Sequence, residues 1–154
     1  MSKNLSILTN NTANSSSDII SGWESTIPYH TSIDVKTNNV YNISNGVVME
    51  VVYDKHYIVN VQLSSEYCIR YSHLLSANVK AGDLVASEDL IGKANKYVSV
   101  ELCQFSQSSG LFPVYINTLK YYKIDPTDYL LKDAELELGQ STYDQVYGVK
   151  HNGQ

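Results

Sequence analysis

A series of short apolar and alternating runs in the middle of the chain limits what it can fold into. Val47–Tyr53 is almost continuously apolar, whereas Tyr57–Leu63, Tyr67–His73 and Tyr97–Cys103 alternate between apolar and polar residues. Alternation with a period of two indicates strands that bury one face. Only three residues separate each of the first three runs, and connections this short join antiparallel neighbours. The sequence therefore predicts an all-β fold that is mainly antiparallel.

The apolar positions of these runs define a candidate core. Its expected members are Val48, Val59, Val61, Ile69, Leu84, Ile91, Val98, Val100 and Leu102. No stretch before the C-terminal part shows a sustained helical period, and only residues 126–131 are expected to hold a helical turn.

Composition divides the chain into three parts. Residues 1–21 are rich in Ser and Asn, which predicts a flexible N-terminal arm. Residues 22–131 carry the strand pattern and are expected to form one folded domain. Residues 132–154 are polar with scattered apolar positions, which predicts a C-terminal extension that adds a strand or lies on a neighbouring chain.

Charge and hydropathy exclude several classes of function. The net charge is -5 without a cluster of Lys or Arg, which argues against nucleic-acid binding. No apolar run approaches the roughly 18 residues of a membrane span. The first residues lack the apolar segment of a secretory signal, so we expect no signal peptide. The 13 tyrosines fit either a binding surface or half-buried strand positions.

The two cysteines do not form a metal-binding motif. Cys68 and Cys103 lie 35 positions apart, and neither belongs to a CxxC pair. Because both fall in predicted strands, we expect two free, half-buried thiols rather than a disulfide.

Four short segments carry side chains suited to hydrolytic chemistry. His30 and Asp34 form an HxxxD pair, His73 follows Tyr71-Ser72, and Ile91-Gly92 precedes the segment Tyr97–Glu101. Histidine nitrogen and carboxylate oxygen are zinc ligands. On its own, the HxxxD pair fits a hydrogen-bonded His–Asp pair at least as well as a metal site.

Taken in order, these segments resemble the lysostaphin-type zinc metallopeptidases, which cut peptidoglycan cross-bridges. Further matches lie at Gly22-Trp23-Glu24, Asn45–Val48 and Ile124–Leu130, so the resemblance covers about residues 22–131. It implies an all-β, mainly antiparallel barrel-sandwich of the lysostaphin-like peptidase type.

The resemblance assigns roles residue by residue, and two positions depart from the family pattern. The family ligands in HxxxD correspond to His30 and Asp34, and the third ligand, the second His of an HxH pair, falls on Ser99. One catalytic histidine corresponds to His73, whereas the other falls on Tyr97. A serine hydroxyl is outside the usual set of zinc ligands, and a tyrosine cannot act as a base near neutral pH. The Gly-rich cleft loop of the family is reduced to residues 93–96.

These departures imply a catalytically inactive peptidase-like domain that needs no cofactor, although zinc serves the active relatives. The expected role is a structural or assembly module of a phage tail or baseplate, located in the virion, with other virion subunits or further copies of the chain as partners. A cytoplasmic regulator built on the same fold is the runner-up. Two other functions stay open: a peptidoglycan-binding module, and a zinc-dependent endopeptidase with a non-standard third ligand such as Glu101.

Overall fold

The computed structural model describes residues 2–11, 18–24, 30–105, 111–134 and 136. Within them lie ten strands and two short helices. The helices are α1 (Lys3–Thr9) and α2 (Thr127–Leu131), and the strands are β1 (Ile19–Ser21), β2 (Ile33–Lys36), β3 (Asn39–Tyr41), β4 (Gly46–Asp54), β5 (His56–Gln62), β6 (Tyr67–Ala77), β7 (Leu84–Val85), β8 (Leu90–Phe105), β9 (Leu111–Ile116) and β10 (Leu119–Ile124).

The strands form one antiparallel sheet, which confirms the predicted fold class. Its main order is β1-β2-β8-β6-β5-β4-β7. The 16-residue strand β8 also pairs with β3 and β10, and β9 joins β10 at the side. Among the described residues the sheet does not close on itself, so the architecture is sandwich-like.

Eight of the nine predicted core residues are buried, and Leu84 is half-buried. Leu84 lies in the two-residue strand β7 at the edge of the sheet, where its only paired neighbour is β4. A residue in an edge strand has a neighbouring strand on one side, so its side chain is covered less completely than that of a residue at the centre of the sheet. Cys68 and Cys103 are fully buried free thiols, so they are more enclosed than the sequence indicated.

The N-terminal segment differs from the flexible arm that the sequence predicted. Residues Lys3–Thr9 form α1, and Leu5 and Leu8 are completely buried in the main core. The side chain of Ser2 caps the helix by accepting a hydrogen bond from the amide of Leu5. One buried pair three residues apart is too short to show a helical period, and a helix of this length depends on tertiary packing. Residues 12–17 of the expected arm lie outside the described residues.

The C-terminal part of the described chain contacts helix α1. The expected helical turn is confirmed as α2, in which Leu130 is fully buried. Beyond it, the Asp133 carboxylate accepts hydrogen bonds from the amides of Lys3 and Asn4, at 2.7 and 2.8 Å. The rest of the predicted extension, residues 135 and 137–154, lies outside the described residues. Neither of the described helices is long and apolar enough to cross a membrane.

The Asp133 contact predicts a dependence of stability on pH. Burial acts to raise the pKa of this carboxyl, but hydrogen bonds from the amides of Asn4 and Lys3 outweigh it, and the pKa is lowered. The stabilising effect is therefore complete above the unfolded pKa of about 3.9 and is lost as pH falls through the folded pKa. We expect Asp133→Asn to lower the unfolding free energy by about 1 kcal/mol at neutral pH, and less in acid.

Urea unfolding of both proteins across the acid range measures this difference. Asp54→Asn, a change at an exposed hairpin residue, is the control and should have little effect at any pH. A difference between Asp133→Asn and the unmodified protein that stays constant into strong acid would contradict the assignment.

The β9–β10 hairpin covers one end of the sheet on the face away from the main core. At its tip, the amide of Asn117 donates to a carboxylate oxygen of Glu50 in β4 at 2.9 Å. The side chain of Asn117 donates to the carbonyl of Met49 at 3.3 Å. Beneath the hairpin, Ile116 and Tyr121 form a second small core with the two cysteines. The candidate site therefore lies on the same face of the sheet, at the end that the β9–β10 hairpin does not cover.

Candidate functional site

Three adjacent strands bring the predicted site residues together. In the pairing of β2 with β8, Asp34 lies opposite Ser99, and in the pairing of β6 with β8, Ser72 also lies opposite Ser99. His30 precedes β2 and is held by a two-way backbone bridge to Glu24. Period-2 geometry turns Tyr97 and Ser99 toward the same side of β8.

His30 bridges the Gly22 segment and Asp34. Its Nδ1 lies 2.7 Å from the carbonyl oxygen of Gly22, which can only accept, so Nδ1 carries a proton. Its Nε2 lies 3.1 Å from Oδ2 of Asp34. Burial acts to lower the pKa of His30, but the hydrogen bond to Gly22 and the charge of Asp34 outweigh it, and the pKa is raised. His30 is therefore held through both ring nitrogens, by Gly22 on one side and by Asp34 on the other.

Asp34 is the centre of this cluster. Its side chain is buried, and its Oδ1 accepts hydrogen bonds from the hydroxyls of Ser99 at 2.6 Å and Ser32 at 3.1 Å. Together with His30, which contacts Oδ2, three side chains contact the Asp34 carboxylate. Ser99, at the position of the third family ligand, thus donates its single proton to the neighbouring ligand position.

The ring of His73 contacts two other rings. It stacks on Tyr97 with the ring centroids 3.9 Å apart and the planes 12° from parallel. The ring of His56 lies on it at 4.3 Å, and His73 Nδ1 lies 3.2 Å from the carbonyl oxygen of Tyr97. The backbone of His73 has a positive φ of 66° at a register shift in β6, which re-aims the side chain relative to a regular strand.

His56 was not predicted to belong to the site, because a histidine in a polar hairpin connection is usually solvated. It begins β5, the strand beside β6, and Asn95 Nδ2 lies 3.3 Å from its Nε2. The predicted pairing of these two strands already held the signal, because continuing it to the first residue of β5 brings His56 to the part of β6 that contains His73. Asn95 belongs to the shortened segment 93–96, which forms an irregularity inside β8 rather than a separate loop.

A second polar cluster, which we call the charged floor, lies beside Ser99. It consists of Glu101, Arg70 and Lys123. Lys123 Nζ lies 2.5 Å from Glu101 Oε2, and Arg70 Nε lies 3.6 Å from Glu101 Oε1. Both contacts join opposite charges, so the cluster is held by ionic attraction. Lys123 also donates to the hydroxyl of Thr31 at 3.0 Å. Of these residues, the sequence had indicated only Glu101.

The donor set does not fit a hydrolytic zinc centre. Such a centre uses three protein ligands and keeps a fourth position open. His30 and Asp34 supply two donors, and the third position presents a hydroxyl already bonded to Asp34. Among the described residues, no group of three or more His, Cys, Asp or Glu side chains is placed to hold a metal ion.

Comparison with known proteins gives a family similarity over the centre of the chain. Residues 28–102 match the model of Peptidase family M23, a range that includes His30, Asp34, His73, Tyr97 and Ser99. No curated protein sequence is significantly similar to the chain.

Solved structures share the fold at low sequence identity. The peptidase lysostaphin from Staphylococcus simulans has a TM-score of 0.57 and 19% identity, covering 81% of this chain and 53% of its own. This chain thus spans about half the length of lysostaphin. A catalytic-domain mutant of the prophage-encoded M23 protein EnpA from Enterococcus faecalis has a TM-score of 0.56 and 17% identity, covering 72% and 89%.

One chain of the SpoIIQ–SpoIIIAH pore-forming complex is also similar. It has a TM-score of 0.51 and 17% identity, and the match covers 79% of this chain and 80% of that one. At these identities the structures show a shared fold. The chain therefore has the lysostaphin type of fold, and its residues 28–102 are similar in sequence to Peptidase family M23.

Proposed function

We propose that this domain keeps the peptidase fold without peptidoglycan hydrolysis and serves as a structural or assembly module. The hydrogen bond from Ser99 to Asp34 carries the proposal. In the family pattern this position supplies the third zinc ligand, whereas here its hydroxyl stabilises the carboxylate of the second. His30, Asp34 and Ser99 form a closed hydrogen-bonded cluster instead of an open coordination sphere.

The two positions that hold catalytic histidines in the family pattern support the same conclusion. A general base needs a ring nitrogen within hydrogen-bond reach of the water it activates. Nδ1 of His73 lies 3.2 Å from the Tyr97 carbonyl, so Nε2 is the nitrogen left to meet a water, and the ring contacts those of Tyr97 and His56. Tyr97 occupies the second catalytic position, where a phenol does not replace the imidazole as a general base.

We place the module in the tail or baseplate of a virion, next to other particle subunits. One similarity supports the virion, since EnpA is described as prophage-encoded; the SpoIIQ–SpoIIIAH complex supports only the more general role in an assembly. Detection of this chain by mass spectrometry in purified phage particles from its source would support the role. Its absence from such particles, with the protein abundant in the same cells, would favour a cellular assembly.

Hydrolysis is tested with purified protein, peptidoglycan sacculi and added zinc. We expect no chelator-sensitive release of peptide fragments, because a ligand is missing and loss of an acid–base group alone costs roughly 10²–10⁴ in rate. Lysostaphin is the positive control. Ser99→His is expected to raise zinc affinity at least ~10-fold without restoring turnover, since Tyr97 remains at the second catalytic position.

The outcomes separate the three candidate functions. Fragment release by the unmodified protein that stops with chelator would establish an endopeptidase with another third ligand and would refute our proposal. Sedimentation with sacculi without fragment release would identify a peptidoglycan-binding module. Neither binding nor release is the result we expect of an assembly module.

A further inference from the structure

The two cysteines face each other across neighbouring strands. Cys68 in β6 and Cys103 in β8 are directly opposed in the antiparallel register. Opposed residues of such a pair project to the same face, with Cα atoms about 4.5–5.5 Å apart. Disulfide bonds join residues whose Cα atoms are about 4.4–6.8 Å apart. The strand register alone therefore brings the two Cα atoms into the range that a disulfide bond spans.

We infer that Cys68 and Cys103 are a disulfide site, which closes across β6 and β8 when the chain folds under oxidising conditions. The bond requires no strand to move to another partner, because the register between these strands already pairs the two residues. β6 also carries Ser72 and His73, and β8 carries Tyr97 and Ser99, so the bond would tie together the two central strands of the candidate site. The inference is independent of whether the domain hydrolyses peptidoglycan.

Access to the thiols determines when the bond can form. Both side chains are fully buried beneath Ile116 and Tyr121 of the β9–β10 hairpin. Burial also raises the pKa of Cys103 to about 12, which keeps this thiol protonated and unreactive in the folded protein. Oxidation therefore takes place during folding or during opening of the hairpin.

The oxidant is a small-molecule disulfide such as oxidised glutathione. One cysteine thiolate attacks it, forms a mixed disulfide and releases one glutathione thiol. The second cysteine thiolate then attacks the protein sulfur of the mixed disulfide and releases the second glutathione thiol. The protein loses two hydrogens and two electrons, and one oxidised glutathione becomes two reduced molecules.

The test is to refold the protein from denaturant with excess oxidised glutathione, so that burial does not limit access. Thiols are then alkylated under denaturing conditions, and the products are identified by mass spectrometry. We expect a monomer that has lost two hydrogens, takes up no alkylating agent, contains a peptide linking Cys68 to Cys103, and has the circular dichroism spectrum of the reduced protein.

Cys68→Ala and Cys103→Ala are matched controls, since each keeps one thiol and cannot form the internal bond. Native-like protein that retains two alkylatable thiols would overturn the inference. Final products with glutathione on either cysteine, disulfide-linked dimers, or an internal disulfide found only in misfolded protein would overturn it as well.

Discussion

Gly92→Ala is expected to lower the unfolding free energy by about 3 kcal/mol or more, because the added methyl group has no space. Gly92 lies in β8, opposite Val40 of β3 on one side and Ala77 of β6 on the other. A Cβ atom there would lie 2.1 Å from the carbonyl oxygen of Ser76 and 3.3 Å from the Cα of Ala77. Both neighbours are backbone atoms, so no side-chain rotation relieves the clash, and β6 must move.

Gly22→Ala is the matched control for this change. A Cβ at Gly22 meets no atom within 4 Å, and the carbonyl that contacts His30 is kept. Urea unfolding of the three proteins measures the effect. A total stability of about 5–15 kcal/mol means that Gly92→Ala is expected to unfold at much lower urea or not to fold. A loss below about 1 kcal/mol would mean that β6 and β8 separate easily at this point.

The strand pattern was the most predictable part of the molecule, for a physical reason. Alternation between buried and solvated positions is a local property of a strand, so Val98, Val100 and Leu102 could be assigned to the core without knowing their partners. The order of the motifs made the site residues predictable, since HxxxD and the segment around Ser99 must pair for the family geometry to exist. The pairing of Asp34 with Ser99 agrees with that order.

The parts that could not be predicted depend on contacts between segments distant in sequence. Helix α1 is stabilised by burial of Leu5 and Leu8 and by Asp133, which lies more than 120 positions away. The alternation of the central strands predicted one buried face and did not indicate what covers the other. Glu101 is buried between Arg70 of β6 and Lys123 of β10, a strand that lay outside the recognised pattern.

The charged floor is buried enough for its charges to depend on one another. The side chain of Glu101 is 9% exposed, and those of Arg70 and Lys123 are 20% and 18% exposed. Removing one charge from such a group leaves its partners partly desolvated and uncompensated, which costs far more than loss of a surface ion pair. Because Glu101 faces two cations, it is the member whose loss has the largest consequence.

Glu101→Gln is therefore expected to lower the unfolding free energy by about 2–4 kcal/mol, somewhat below a fully buried pair because both cations retain some contact with water. Asp128→Asn is the control, since Asp128 forms an ion pair with Lys132 in which both side chains are mostly exposed, and its loss should cost at most about 0.5 kcal/mol.

Replacing all three charges with apolar residues of similar size, as in Arg70→Met, Glu101→Leu and Lys123→Met combined, should recover much of the stability lost in Glu101→Gln. Denaturant unfolding of the three variants and the unmodified protein gives these free energies. Equal stability of Glu101→Gln and Asp128→Asn would mean that water, rather than Glu101, compensates the two cations.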